Sequence, residues 1–339
     1  MIQNPIWQAR LHRFRRNRIG YWSLWVFLVI FGLCMGANFI ANDKPLLVKY
    51  DGAYYFPVLK AYPETTFGGV FETETVYKDP AVIQMIADKG YMLMPPIAFA
   101  DQTVNVERAE PYPAPPSKDN WLGTDDVGRD VLARILYGLR VSLLFGLALT
   151  LVGSLIGIAV GALQGYYGGM VDLAGQRFLE VWGGLPQLFV IIILVSLFSP
   201  SVYVLFGLML LFGWQSLVGL VRAEFLRARN FDYVRAAKNL GVSDSKIMFR
   251  HILPNALASS LSQLPFILTA NVVALTSLDF LGYGLPAGSP SLGELMNQGK
   301  NNLDAPWLAL SAFFSMAMVL SLLIFIGEAL RDAFDSRQG

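Results

Sequence analysis

Five stretches of the chain, 19–42, 141–171, 181–221, 256–278 and 305–327, contain no Asp, Glu, Lys or Arg. Each is long enough to cross a hydrocarbon core, which takes about 20 helical residues. The third runs 41 residues, too long for one crossing, and Ser199-Pro200-Ser201 interrupts it near the middle. The pattern therefore predicts six spans, at 19–42 and about 141–163, 179–198, 202–221, 258–279 and 306–327. Backbone polar groups at that depth have no water to bind, so the spans are expected as helices.

Composition agrees with this pattern. Hydrophobic residues make up 54% of the 339 residues and charged residues 15%, against about 25% charged in an ordinary soluble domain. That balance argues against a soluble enzyme, a disordered chain or a nucleic-acid binder. Cys34, the one cysteine, excludes an internal disulfide framework, and His12 and His251 lie too far apart in sequence for a histidine zinc site. The first apolar run exceeds the usual 7–15 residues of a signal peptide and lacks a small-x-small cleavage site, so it reads as an uncleaved span.

The few charges set an orientation. Residues 1–18 hold five arginines and no acid; 43–137 holds nine Lys/Arg and fourteen Asp/Glu, net −5; 222–257 holds seven and three, net +4. By the positive-inside rule, both termini (1–18 and the tail 328–339) and the 222–257 loop are expected in the cytoplasm, with 43–137 outside. The membrane core would then be 138–339. The outer segment is expected as a small cap of irregular strands and turns, with 111–116 as a proline-rich extended connector. Asp125 and Asp126 lie near an expected helix start, and Arg129, Arg134 and Arg140 suggest a short amphipathic helix along the interface.

The inner loop carries the most specific pattern. Residues 231–240 can form one helix with Val234, Ala237 and Leu240 on a shared face, stopped by Gly241 as a C-cap. Ser243 can cap a second helix with Asp244 in its first turn, and Ile247, Met248 and Ile252 then form an apolar ridge. Such a basic helix pair suits either a groove in another protein or an anionic membrane surface. In the second span Gly153, Gly157 and Gly161 fall on one face and predict close helix packing. No span carries the buried charge cluster of an ion relay, and no phosphate-binding, G-x-S-x-G or H-E-x-x-H motif is visible.

Arg235-Ala236-Ala237, then Gly241, Ile247 and Leu253-Pro254, resemble the EAA loop of membrane subunits of bacterial ABC importers, with Arg235 where the family has glutamate. Gly123-Thr124-Asp125-x-x-Gly128-Arg129-Asp130, with Arg134, Gly138, Arg140 and Ser142, is similar to the signature before the second span of dipeptide and oligopeptide permeases. Leu278-x-x-Leu281-Gly282-x-Gly284, Pro306-Trp307 and Leu330-Arg331-Asp332-Ala333-x-Asp335 resemble the same subfamily, while Leu292 stands where a tryptophan is usual. The resemblance implies an all-α polytopic protein of the type I ABC importer permease fold, with an extracytoplasmic insertion between helices 1 and 2. It implies a non-catalytic subunit that moves di- and oligopeptides inward, microcin C-like peptides among the candidates. The implied partners are a second permease subunit, two ABC ATPase subunits or one fused ATPase holding MgATP, a periplasmic peptide-binding protein and membrane lipid. This chain would bind no cofactor, metal or nucleic acid. The rival readings are a non-transporting membrane scaffold or sensor, and a membrane-embedded enzyme for which no polar constellation is visible.

Overall fold

The computed structural model describes residues 5–106 and 110–334, so Asp335 lies outside the described residues. In chain order come α1 (Pro5–Arg16), α2 (Arg18–Met35), α3 (Ala37–Ile40), β1 (Leu47–Tyr50), β2 (Ala53–Tyr55), α4 (Pro80–Lys89) and β3 (Gly90–Leu93). There follow α5 (Val131–Tyr167), α6 (Gly169–Gly183), α7 (Gln187–Ser196), α8 (Val202–Gly213), α9 (Val218–Ala228), α10 (Asp232–Asn239) and α11 (Asp244–Lys246). The chain closes with α12 (Leu253–Leu261), α13 (Leu264–Phe280), α14 (Leu292–Asn301) and α15 (Pro306–Phe334).

Among the described residues four helices are long and apolar enough to cross a membrane: α2, α5, the rod Val202–Ala228, and α15. Two bent pairs raise the number to six if each is one span. α6 meets α7 at 71°, and Asp244–Leu261 meets α13 at 55°. The helices at the spans expected over 179–198 and 258–279 are thus bent. Proline accounts for both breaks, since Pro186 and Pro265 carry no N–H to continue a helical ladder.

Two compact units make up the chain: Met1–Leu28, Ser142–Ala287 and Ala317–Gly339 form one, Val29–Val141 and Gly288–Met316 the other. In the first, the glycine stripe of α5 lies against the rod Val202–Ala228. A Cβ on Gly161 would sit 2.7 Å from the Val218 carbonyl, and one on Gly165 2.6 Å from that of Arg222; Gly157 is as tight against Trp214. This is the close backbone approach that small residues allow. Asn271 Nδ2 donates to Thr150 Oγ1 at 2.9 Å, satisfying a buried amide between α13 and α5. Phe14 of α1 is buried against Ala329 and Ala333 of α15.

In the second unit β1 pairs antiparallel with β2 and β3, in the order β2-β1-β3. The inner face packs Val48 and Tyr50 on Phe67, Tyr77, Val82 and Ile86. Phe67 makes edge-to-face contacts with Tyr50, Tyr55 and Tyr77. This segment is more regular than the irregular cap expected. α4 starts because Asp79 accepts from Ala81 N at 2.8 Å and Pro80 occupies the first turn. Nor is the proline-rich stretch a free connector: Ala114 is fully buried and exchanges two backbone-region hydrogen bonds with Thr124.

The second expected span also begins earlier. Instead of a short interfacial helix, α5 runs 37 residues from Val131, and Arg134 and Arg140 lie inside it. Asp130, not Asp125 or Asp126, holds its first turn by accepting from Ala133 N at 2.7 Å.

The stripe yields a prediction. Gly161→Leu is expected to cost about 1–3 kcal/mol through overpacking, read as a lower unfolding temperature in detergent. Gly207→Ala, whose Cβ meets nothing within 4 Å, is expected to leave stability level or raise it by about 1 kcal/mol. Equal effects at the two sites would refute the packing account.

Candidate functional site

The inner-loop pattern folds as a two-helix module in the first unit. α10 ends with Gly241 at φ +76, where its N–H donates to the Lys238 carbonyl and Val242 N–H to that of Ala237. This pair of bonds closes the last turn, and the left-handed residue between them favours glycine. Val234 is buried and Ala237 half-buried, whereas Leu240 is 83% exposed and does not share their face. Arg235, Ala236, Lys238 and Pro254 are exposed; Leu253 is half-buried.

Ser243 stands at the N-cap of the following helix, but its side chain makes no capping bond. Asp244 is instead held by the Tyr166 hydroxyl, which donates to Oδ1 at 2.5 Å. Ile247, Met248 and Ile252 fall on a π-helical stretch, Ile247–Ile252, and are buried. They pack with Leu217, Val221, Phe225 and Ala256. The ridge therefore roots the module in its own unit. Its outward side carries Phe231, Tyr233, Leu240 and Phe249, all exposed, among Arg235, Lys238, Lys246 and Arg250.

In the second unit the 123–130 signature is a buried polar knot. Gly123 packs on Trp307, whose Nε1 donates to the Thr124 carbonyl at 3.3 Å, and Gly128 packs on the Tyr112 ring. Asp125 accepts from Val127 N at 3.1 Å, Arg129 N at 2.8 Å and Arg129 Nε at 2.7 Å. Asn120 Nδ2 donates to Asp130 Oδ2 at 2.8 Å. Burial pushes the Asp130 carboxyl above the usual range, against the pull of these hydrogen bonds and of Lys78. Asp126 is also raised, first by desolvation and then by the Asp125 carboxylate.

At the centre is Arg134, the largest fully buried side chain. Its guanidinium donates to Glu294 Oε2 at 2.8 Å and to the carbonyls of Ser289 at 3.0 Å, Asp101 at 3.2 Å and Gly288 at 3.4 Å. Its Nε lies 3.4 Å from Asp125 Oδ2, and Arg129 reaches Glu294 Oε1 at 3.4 Å. Arg134 thus ties the first turns of α5 to α14 and to two loops. In the sequence Arg134 stands beside the signature, while Glu294, 160 positions further on, carries no local mark of the ion pair it makes. The only sequence signal at Arg134 is a charge one helical turn inside an apolar run.

A model of the binding-protein-dependent transport system inner membrane component matches residues 140–339, which contain the module. The chain belongs to that family. The N-terminal TM domain of oligopeptide transport permease C matches residues 6–57 of this inner membrane component. The inner membrane ABC transporter permease protein YejE of Escherichia coli is 61% identical over 332 residues, covering 98% of this chain and 97% of its own. The peptidoglycan transport system permease protein YejE of Agrobacterium fabrum is 52% identical, covering 99% and 94%. The oligopeptide transport system permease protein OppC of Lactococcus lactis is 37% identical over 239 residues, covering 69% and 81%.

The clasp yields a second prediction. Arg134→Ala leaves Asp125 and Glu294 with Arg129 as their remaining cation and is expected to cost about 3–5 kcal/mol. In a double-mutant cycle by chemical denaturation in detergent, Arg134→Ala with Glu294→Ala is expected to cost less than the two single changes added together. Strict additivity would show that the pair is not coupled.

Proposed function

We propose that this inner membrane component is the peptide-moving subunit of an ATP-driven importer. It crosses the membrane six times, counting each bent pair once, with both termini and the 222–257 loop in the cytoplasm. Segment 43–137 is its extracytoplasmic insertion between the first two spans. The asymmetry of the loop charges, +4 inside against −5 outside, supports this orientation. The names of its relatives, dipeptide and oligopeptide permeases among them, support peptide as the cargo. Its partners are a second permease subunit, two ATPase subunits or one fused ATPase that hold MgATP, and a soluble binding protein. Hydrolysis belongs to the ATPases, and this chain supplies coupling and part of the passage.

The observation that carries this reading is the module over 232–252. Its apolar ridge is sunk into the body of its unit while exposed aromatics and cations face outward. A surface built that way accepts force from a partner and passes it to the helices beneath. Ala236 and Ala237 allow close seating in the ATPase cleft, Arg235, Lys238 and Arg250 make polar contacts at its rim, Gly241 permits the bend between the helices, and Ile247, Leu253 and Pro254 lead into the bent span. ATP binding draws the ATPases together, moves these helices and opens the path outward; hydrolysis resets it.

Proteoliposomes holding the full set of subunits are expected to accumulate peptide only with ATP and binding protein present. Uptake that persists without ATP would sink the reading. A scaffold would bind partners and move nothing.

Gly241→Pro removes the N–H given to Lys238 and forces φ negative, so it is expected to abolish transport-coupled ATPase activity while the subunit still inserts. Gly241→Ala, with open space around its Cβ, adds only left-handed backbone strain of about 1–2 kcal/mol and is expected to act mildly. Wild-type uptake by the proline variant would remove Gly241 from the coupling path.

A further inference from the structure

The small sheet breaks the ordinary rule for its kind. An antiparallel sheet with one face on a core usually shows water a polar face. Here Val48 and Tyr50 of β1 point to the core, and the alternate residues Leu47 and Lys49 occupy the other face. The register pairs Lys49 with Tyr54 on one side and Tyr91 on the other, and Leu47 with Leu93. One row across the face is therefore Tyr54–Lys49–Tyr91, with Leu47–Leu93 beside it. Tyr54, Tyr91 and Leu93 are each more than half exposed, and the Lys49 ammonium lies 5.7 Å from the Tyr54 ring centre. None of these residues belongs to a helix able to cross a membrane.

From this face we infer a docking surface for the soluble binding protein on which the family depends, which offers it an apolar patch centred on a carboxylate. The inference rests on the transport reading above, which places 43–137 on the side where that partner delivers its cargo. The chemistry favours a protein partner. Tyrosine is enriched and charge depleted at the centres of protein interfaces, and rigid rings give contact area at little entropic cost. A single lysine held between two tyrosines sets register and partner choice by charge, because an apolar patch without a carboxylate leaves it unmatched. The same sheet's inner face is filled by its own aromatic cluster, so the outer row is not needed to fill that core and is available for recognition. The site spans residues 47–54 and 91–93, and the second stretch lies outside both matched family models, as a feature particular to a subgroup would.

The test uses the assembled transporter in nanodiscs and its purified binding protein, with affinity measured by biolayer interferometry. Tyr54→Ser/Tyr91→Ser/Leu93→Thr is expected to weaken binding about tenfold or more, with basal ATPase activity and unfolding temperature at wild-type values. Lys49→Glu is expected to slow association, by a factor that shrinks as salt is raised; it reports independently should the triple variant fold poorly. Wild-type affinity in both folded variants overturns the inference. So does loss of retention on phosphatidylglycerol–phosphatidylethanolamine vesicles with affinity for the binding protein intact, which assigns the face to the membrane. Binding-protein-stimulated ATPase activity in the wild type keeps the two levels apart. If it is absent, the transport reading fails; if it is present and the variants match it, only the docking surface fails.

Discussion

Every backbone N–H in a hydrocarbon layer must find an acceptor within the protein, and this single demand shapes the chain. It makes the apolar stretches helical, and it also governs where they bend. At the α6–α7 break Gly184 N–H closes on the Glu180 carbonyl, Leu185 on Trp182, and Val190 on Pro186. At the second break Gln263 closes on Ser260 and Ile267 on Gln263. The two prolines sit where a donor would otherwise be stranded. Bends of 71° and 55° are thus made with these five donors satisfied.

Once helices are fixed, packing rather than water exclusion must hold them together, because lipid is as apolar as leucine. The glycines of α5 answer that need by bringing its backbone against the rod Val202–Ala228. The same rod supplies Leu217, Val221 and Phe225 to the cluster that receives Ile247, Met248 and Ile252. Movement imposed on the module therefore acts on a helix already locked to its neighbour, with no soft layer between. The π-helical stretch beneath the module places two consecutive residues, Ile247 and Met248, in that cluster.

Charge-free length made the spanning helices legible in the sequence, and the glycine at 241 and the ridge after it were equally plain, since all depend on residues close in sequence. The start of α5 was not. Arg129, Arg134 and Arg140 suggest a short interfacial helix ahead of the apolar run, but the charge of Arg134 is held by Asp125, Glu294 and three carbonyls, most of them far along the chain. Hydropathy counts the charge and cannot count its partners. The carboxylate of the first turn was misassigned for a related reason: Asp125 folds back onto Arg129, leaving the helix to Asp130. By contrast the start of α4 has a local signal, Asp79-Pro80.

Arg235 shows how this division of labour bears on function. It replaces the glutamate of the resembling loop, yet on α10 the buried positions are Val234 and, in part, Ala237, while Arg235 faces solvent. Reversing an exposed charge costs little, because water screens it in the folded and unfolded chain alike. The chain's own stability is therefore nearly blind to that exchange. A partner surface is not, since contact removes the water and makes the sign of the charge decisive. Under the proposed coupling role, an arginine at this position requires an acceptor on the face that meets α10, a demand set at the contact rather than in the fold that carries it.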